Sequence, residues 1–207
     1  MKKYGFFGGS FNPVTNAHIE LALDITKKYN LDKVIFVPVG NAYKKADLAD
    51  ETHRFNMLKI AIKNYKQLEV SDIELNKPNN LSTLEAFREI EERYIDVDKT
   101  YIIGADNLYK IISSKDCEEL AQNYNYIVIQ REEINCKEII QTNPILKQNQ
   151  EKFKIMENTK HSNTSSTKVR NNLINENEQL QELISKEVVT YIKENKLYEK
   201  SSSEYLN

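Results

Sequence analysis

The sequence contains few of the residues that build disulfide frameworks and metal sites. Its two cysteines, Cys117 and Cys136, are not part of a CxxC motif. This favours free thiols in a reducing compartment over a disulfide or a metal site. The three histidines form neither an HxxH nor an HxxxH pattern. We therefore expect no metal site built by the protein's own side chains.

An excess of basic charge and long apolar runs are also lacking. The 29 lysines and arginines are balanced by 31 acidic residues, giving a formal net charge of -2. A nucleic-acid partner is therefore not expected. No apolar run approaches the length of a membrane span, and the first residues lead into a strand pattern rather than a signal peptide. We expect a cytoplasmic protein with no membrane partner, and whether it forms a homo-oligomer is left open.

Short apolar runs alternate with helical patterns along the chain. The runs lack the alternation of apolar and polar residues, which is typical of strands covered on both faces of a parallel sheet. The order predicts an α/β fold: Rossmann-like, doubly wound, with a mainly parallel sheet, flanking helices and a small C-terminal helical part. We expect one domain over residues 1–200 and a disordered tail over 201–207. The predicted strands are residues 4–7, 34–37, 101–103, 126–129 and 154–156.

Local signals also mark two of the helical regions. Ser82 and Glu85 have the spacing of a capping box, so a helix is expected to begin at Thr83. Residues 134–151 are polar and predict a surface helix and a loop that contains Pro144. No function is indicated for that second region.

The turn between the first strand and the first helix is the strongest candidate site. It runs from Gly8 to His18 with the sequence GGSFNPVTNAH. Paired glycines let the backbone approach a ligand closely, and the helix start offers free N–H groups and the positive dipole end, an arrangement that binds phosphate. His18 falls in the first helical turn, where a cation is disfavoured unless an anion is bound. An incidental histidine in an ordinary turn is less favoured, because Thr15 and Asn16 add cap-type residues there.

A second helix start is predicted near the C-terminus, at the run Thr164-Ser165-Ser166-Thr167-Lys168-Val169-Arg170. Ser166 and Thr167 lie four and three residues before Arg170 and therefore share a helix face with it. Two phosphate-binding helix starts in one chain indicate a nucleotide. The sequence has no GxxxxGK[ST], GxGxxG or GxSxG, which excludes P-loop enzymes and argues against Rossmann dehydrogenases and α/β-hydrolases.

GGSFNPVTNAH and SSTKVR together resemble the two signatures of the nucleotidylyltransferase superfamily, (H/T)xGH and SSTxxR. Within the superfamily, the chain is similar to bacterial nicotinate-nucleotide adenylyltransferases nearly from end to end. The blocks that carry this closer similarity are Lys44, RFNML at 54–58, SDIE at 71–74, Thr83, IIGADNL at 102–108, VVTYI at 188–192 and Leu197-Tyr198.

The resemblance implies that ATP and nicotinate mononucleotide react to give a dinucleotide and pyrophosphate, with Mg²⁺ bridging the substrate phosphates. It implies catalytic roles for His18 and Arg170. It implies that Lys44 contacts a phosphate and Thr83 the pyridine carboxyl group of the acceptor. The residues that it implies for ATP binding are Gly9, Ser10, Phe11, Thr15, His18, Gly104, Asp106, Ser166, Thr167 and Arg170.

The sequence departs from the family pattern at three positions. Thr15 stands where most members have histidine, and Ala17 replaces a glycine. Ser114 lies near the position of a tryptophan that commonly stacks on the pyridine ring, and the chain has no tryptophan. Because Thr-Asn-x-His is usual in phosphopantetheine adenylyltransferases, another phosphate acceptor is one alternative. A nucleotide sensor without chemistry is an alternative of another class, against which the presence of both His18 and Arg170 argues.

Overall fold

The computed structural model describes residues 1–43, 47–131, 133–157, 166–174 and 180–199. Six strands within these residues form one sheet, and every neighbouring pair in it is parallel. In chain order the strands are β1 (Lys2–Gly9), β2 (Lys33–Pro38), β3 (Leu68–Val70), β4 (Val97–Gly104), β5 (Tyr126–Ile129) and β6 (Phe153–Met156).

The order of strands across the sheet is β3-β2-β1-β4-β5-β6. The chain therefore moves outward from β1 to β3, crosses back, and continues outward on the other side from β4 to β6. Strand order reverses between β1 and β4, whose carboxyl ends are Gly9 and Gly104. In an open parallel sheet, the crevice for a ligand forms at that place, above the carboxyl ends of the strands.

Helices cover both faces of the sheet. In chain order the described helices are α1 (Asn16–Lys28), α2 (Glu51–Ile62), α3 (Thr83–Arg93), α4 (Asn107–Ser113), α5 (Cys117–Asn123), α6 (Cys136–Thr142), α7 (Pro144–Gln148), α8 (Ser166–Ile174), α9 (Leu180–Leu183) and α10 (Lys186–Glu194). One face carries α3 to α7 and the other carries α1, α2 and α8 to α10, as the two hydrophobic clusters show.

Successive residues of a strand belong alternately to the two hydrophobic clusters. In β2, Ile35 and Val37 point to the α3–α7 side, whereas Val34 and Phe36 point to the α1 side, and all four are almost fully buried. Each side chain of such a strand buries apolar surface, worth roughly 25 cal/mol per Å². The double burial explains why the runs are continuous in the sequence, and the predicted α/β fold with a parallel sheet is confirmed.

Two features of the fold differ from the sequence-based expectations. The strand β3 was not predicted, because it has only three residues and two of them are half-buried. The loop predicted around Pro144 is wrong, since Pro144 begins the helix α7. Asn143 caps that helix by accepting from the N–H groups of Ile145 and Leu146, and proline suits the first helical position because no partner is needed for its missing N–H.

The expected helix at Thr83 and the free cysteines are both present. Ser82 and Glu85 form the capping box at the start of α3. Cys117 and Cys136 are free and buried. Among the helices in the described part of the chain, none has the length and apolar character needed to span a membrane. The predicted tail, 201–207, lies outside the described residues.

Candidate active site

The turn after β1 brings the backbone close to its own aromatic core. A Cβ at Gly9 would meet the Phe11 ring at 2.9 Å, so a larger residue there would displace that ring. Phe11 has a φ of 44°, in the left-handed region, and its ring packs edge-on against Phe7 and Phe36. The aromatic packing therefore holds the turn in one conformation. At Gly8 the backbone faces open space.

His18 is fixed at the start of α1 by the residue that caps this helix. Thr15 is the N-cap, and its N–H donates to Nδ1 of His18 at 3.0 Å. The Thr15 hydroxyl lies 2.7 Å from the same nitrogen and accepts from the His18 N–H at 3.4 Å. Because Nδ1 is an acceptor in this arrangement, the neutral ring carries its proton on Nε2. The Nε2–H group is thus the donor that His18 can offer to a ligand.

His18 is neutral in the ligand-free protein at pH 7. Burial, with a smaller contribution from the positive charge of Arg131, lowers the pKa of His18 to about 4. The sequence pattern drew attention to His18 as a cation at a helix start, but the folded protein keeps the ring uncharged and oriented. A neutral ring avoids repulsion with the positive end of the α1 dipole, and it still donates a hydrogen bond.

The start of α8 is docked directly on the glycine turn. Ser166 Oγ donates to the carbonyl oxygen of Pro13 at 2.8 Å, and Arg170 Nη1 donates to that of Asn12 at 2.8 Å. Arg170 Nη2 lies 3.5 Å from Thr167 Oγ1. The two predicted helix starts, 153 residues apart at Ser166 and Pro13, are therefore neighbours. Thr164 and Ser165 lie outside the described residues.

Asp106 occupies the N-cap position of α4 but does not cap the helix. Its side chain makes no hydrogen bond to the helix start, and its buried Oδ1 has no hydrogen-bond partner among the described residues. Arg131 Nη2 lies 3.6 Å from Oδ1, which is an ion pair at longer than hydrogen-bond distance. A Cβ at Gly104 would come within 2.8 Å of Oδ1, so glycine is needed for the carboxylate to lie over the end of β4. The carboxylate is thus available to a ligand.

The residues expected at the site converge on one open cleft of about 860 Å³ above the switch point. Thr15 does not reach it directly, because its side chain is only 1% exposed and contacts His18 instead. Lys44 lies outside the described residues. The expected residues that line the cleft are Gly9, Ser10, Phe11, His18, Thr83, Gly104, Asp106, Ser166, Thr167 and Arg170.

Further residues line the cleft that had no role in the sequence-based site. Tyr43, Glu74, Lys110 and Arg131 are among them. Arg131 follows the carboxyl end of β5 in a charged stretch, which was the one available signal for it. Burial, followed by the negative charge of Glu89, raises the pKa of the Glu74 carboxyl to about 7. Tyr43 comes from a loop and Lys110 from a helix, and only the fold determines that these two elements lie close to each other.

Arg54 connects two segments that line the cleft through hydrogen bonds to their main chains. Its side chain is fully buried and donates three hydrogen bonds to main-chain carbonyls: to Ser10 at 3.0 Å, Val39 at 2.6 Å and Ala49 at 2.8 Å. Burial lowers the pKa of the guanidinium, which nearby carboxylates oppose. The glycine turn and the segment after β2 are therefore held at a set distance from each other. Sequence reasoning placed Arg54 in a family block without indicating this role.

Comparison with known proteins identifies the family. The pattern of the cytidylyltransferase-like family matches residues 6–172. A "Probable nicotinate-nucleotide adenylyltransferase" of Clostridium acetobutylicum is 32% identical over 200 residues, which cover 96% of this chain and all of that protein. A protein of the same description from Clostridium beijerinckii is 32% identical over 205 residues, with the same coverage of this chain. The chain belongs to the cytidylyltransferase-like family and, within it, to the nicotinate-nucleotide adenylyltransferases.

Solved structures show the same family fold. The nicotinic acid mononucleotide adenylyltransferase of Plasmodium falciparum, in complex with NaAD, superimposes with a TM-score of 0.75. The comparison covers 96% of this chain and 98% of that one, at 22% identity. The same protein in complex with APC gives the same score. The arrangement of strands and helices that carries the cleft is therefore the one found in this family.

Proposed function

We propose that the chain transfers AMP from ATP to nicotinate mononucleotide, forming nicotinate adenine dinucleotide and pyrophosphate. One observation carries the proposal: the starts of α1 and α8 meet on one glycine turn, so that His18 and Arg170 both line the cleft at the switch point of the sheet. Two helix starts with a neutral donor and a guanidinium suit a chain of phosphates better than any single anion.

The chemistry needs positioning more than it needs a base. A phosphate oxygen of the mononucleotide attacks the α-phosphorus of ATP, the bond from that phosphorus to the bridging β-oxygen breaks, and the electron pair leaves with pyrophosphate. The nucleophile is already an anion at pH 7, and the neutral His18 is suited to donate rather than to accept from it. Holding both substrates in line contributes about 7–11 kcal/mol to lowering such a barrier.

On the nucleotide side, Nε2–H of His18 donates to the α-phosphate, where negative charge builds up during transfer. The backbone of Gly9–Phe11 and the side chains of Ser166, Thr167 and Arg170 hold the β- and γ-phosphates. Arg170 then stabilises the departing pyrophosphate through the donors that Asn12 and Thr167 leave unused. Each such fixed donor is worth about 3–4 kcal/mol of transition-state stabilisation.

Gly104 and Asp106 serve the ribose of ATP in this scheme. The buried Oδ1 of Asp106 has no hydrogen-bond partner within the described part of the chain, so a ribose hydroxyl donating to it satisfies an oxygen that is otherwise costly to bury. On the acceptor side, Thr83 at the first position of α3 contacts the pyridine carboxyl group, and Lys44 contacts a phosphate. Glu85 does not oppose the anion strongly, because its carboxylate is engaged by the Ser82 N–H at 2.7 Å.

Mg²⁺ is the metal that this reaction implies. No group of three or more His, Cys, Asp or Glu side chains in the described part of the chain is arranged to hold a metal ion. A site without such a group suits an ion that arrives with the substrate and keeps its phosphate and water ligands, as Mg²⁺ does in many nucleotide sites. When bound, Mg²⁺ would neutralise phosphate charge beside His18 and Arg170. We place the reaction in the cytoplasm.

The experiment that tests the proposal is pyrophosphate release from ATP and Mg²⁺ with three acceptors in parallel. We expect turnover with nicotinate mononucleotide, and a kcat/KM at least about tenfold lower with nicotinamide mononucleotide, equivalent to about 1.4 kcal/mol. Turnover with phosphopantetheine alone would assign the chain to the other acceptor class, which the Thr-Asn-x-His sequence favours. If the chain binds ATP but releases no pyrophosphate with any of the three acceptors, the result would favour a nucleotide sensor.

A pair of histidine variants links the activity to the site. His18→Ala is expected to lower kcat by about a hundredfold or more, the scale of one lost donor. His53→Ala is the matched control, because His53 lies on α2 and its Nδ1 contacts the hydroxyl of Tyr191 at 2.9 Å rather than the cleft. The control should keep a kcat near that of the wild type. Equal kcat values for the two variants would remove His18 from the mechanism.

A further inference from the structure

An aromatic ring and an ammonium group face each other at the cleft. Tyr43 lies in the loop after β2, and Lys110 lies on α4 after β4. Lys110 Nζ is 5.7 Å from the centroid of the Tyr43 ring, within the range of a cation–π contact. Since β2 and β4 flank β1 on opposite sides, this pair spans the cleft above the glycine turn.

Tyr43 is the aromatic side chain that the cleft offers to a flat ligand. The aromatic residues lining the cleft in the described part of the chain are Phe7, Phe11, Phe87 and Tyr43. The three phenylalanines are at most 8% exposed and belong to the hydrophobic clusters, whereas Tyr43 is half-buried and outside them. The chain has no tryptophan. A ring that stacks in this cleft therefore has Tyr43 as its accessible partner.

The loop that carries Tyr43 is tied to the segment that leads to α3. The N–H of Tyr43 donates to the carbonyl of Gly40 at 3.1 Å. Gly40 packs so closely on the main chain of Glu74 that a Cβ there would lie 2.2 Å from the Glu74 carbonyl oxygen. The buried carboxylate of Glu51 accepts from the N–H groups of Asn41 at 2.5 Å and Asn76 at 2.8 Å. These contacts tie the Tyr43 loop to the segment that precedes α3, the helix that carries Thr83.

Lys110 and Thr83 both line the cleft, each on a helix. On α3, Thr83, Ala86 and Phe87 face the cleft, and on α4, Asn107, Lys110 and Ile111 do so. Both sets have the spacing of a single helix face, and the two helices share one hydrophobic cluster. A ring held against Tyr43 would thus have the ammonium group of Lys110 beside it, in a cleft that the start of α3 also lines.

We propose that the Tyr43 ring stacks on the pyridine ring of the acceptor, and that Lys110 turns from Tyr43 to pair with the carboxylate of that ring. This rests on the proposed function and adds the residues that set its preference. An ammonium group attracts a carboxylate and gains little from a neutral carboxamide, whereas stacking does not distinguish the two rings. Lys110 therefore determines the choice of acid over amide, and Tyr43 contributes equally to both.

The test compares kcat/KM for nicotinate and nicotinamide mononucleotides in wild type and variants, at saturating ATP and Mg²⁺. Lys110→Met keeps the apolar stem and removes the charge. We expect it to lower kcat/KM about tenfold for the acid, mainly through KM, and to leave the amide within about twofold. Lys110→Arg should restore most of the preference. Lys59→Met is the matched control. Lys59 Nζ lies 5.7 Å from the centroid of the Phe55 ring, which is the same kind of contact at a place away from the cleft.

Tyr43 is tested with two substitutions. Tyr43→Phe keeps the ring and should retain both activities, whereas Tyr43→Leu should raise KM for acid and amide by the same factor of about ten. The KM for ATP should stay unchanged in all variants, which separates local effects from misfolding. An acid-to-amide ratio unchanged in Lys110→Met would overturn the proposal while leaving the proposed function intact. A wild type inactive with both pyridine acceptors would overturn both.

Discussion

The neutral state of His18 is the structural feature most open to direct measurement. The ligand-free protein should be titrated from pH 8 to pH 3.5 while the charge of its histidines is followed. An ordinary histidine charges near pH 6.5. His18 should remain neutral far below that value, because burial and the charge of Arg131 lower its pKa to about 4. At pH 7, only about one His18 ring in a thousand should be protonated.

The expected energy follows from the size of this shift. A change from 6.5 to about 4 corresponds to about 3 kcal/mol, since one pKa unit is worth about 1.4 kcal/mol. Because the folded state binds this proton less readily than the unfolded state, the protein is destabilised as the pH falls from 6.5 through 4. The contribution is absent above pH 6.5 and reaches its full size only below pH 4. The free energy of unfolding should fall by this amount from His18 alone.

The assay is nitrogen-15 NMR of the imidazole rings, which reports both tautomer and protonation. The chain has three histidines, and His18→Gln identifies the signal of His18. We expect a proton on Nε2 at pH 7, since Nδ1 accepts from Thr15. Arg131→Gln should raise the pKa of His18 but leave it below 6.5, because burial is the larger cause.

A non-hydrolysable ATP analogue provides the functional half of this test. If His18 donates to a phosphate, bound phosphate should raise the His18 pKa, since an anion nearby favours the charged ring. A midpoint near 6.5 in the ligand-free protein would refute the assignment of a neutral, oriented donor. A pKa that does not respond to the analogue would refute the contact with phosphate.

Substitutions at three further positions probe the cleft and the residues that support it. Arg170→Lys should lose both ATP affinity and kcat, because a point charge does not replace a planar fork of donors; full activity would show a mere surface charge. Thr15→Val should lower kcat through loss of the hydrogen bond that orients His18, whereas Thr15→Ser should preserve it. Glu74→Gln should become more stable than wild type as the pH rises from 4.5 through 7, by up to about 3 kcal/mol, measured by urea unfolding. The sign follows because the raised pKa of Glu74 makes ionisation in the folded state unfavourable; a difference independent of pH would contradict it.

Local physics explains why so much of the fold could be predicted from the sequence. Strands such as β2 are covered on both faces, so that continuous apolar runs mark them without knowledge of their partners. The starts of α1 and α3 carry cap residues whose hydrogen bonds close within three positions along the chain. Because helix starts bind phosphate through their own backbone, the sequence also indicated the chemistry of Gly9, His18 and Arg170 before any geometry was known.

Tertiary structure decided what depends on distance and on exclusion of water. The three-residue β3 is a strand only because β2 pairs with it. Only folding sets Ser166 against Pro13 and Lys110 over Tyr43. The neutral His18 likewise results from desolvation. Composition and spacing encode local hydrogen bonding and burial, but a pKa or a contact between distant residues depends on the positions of all surrounding groups.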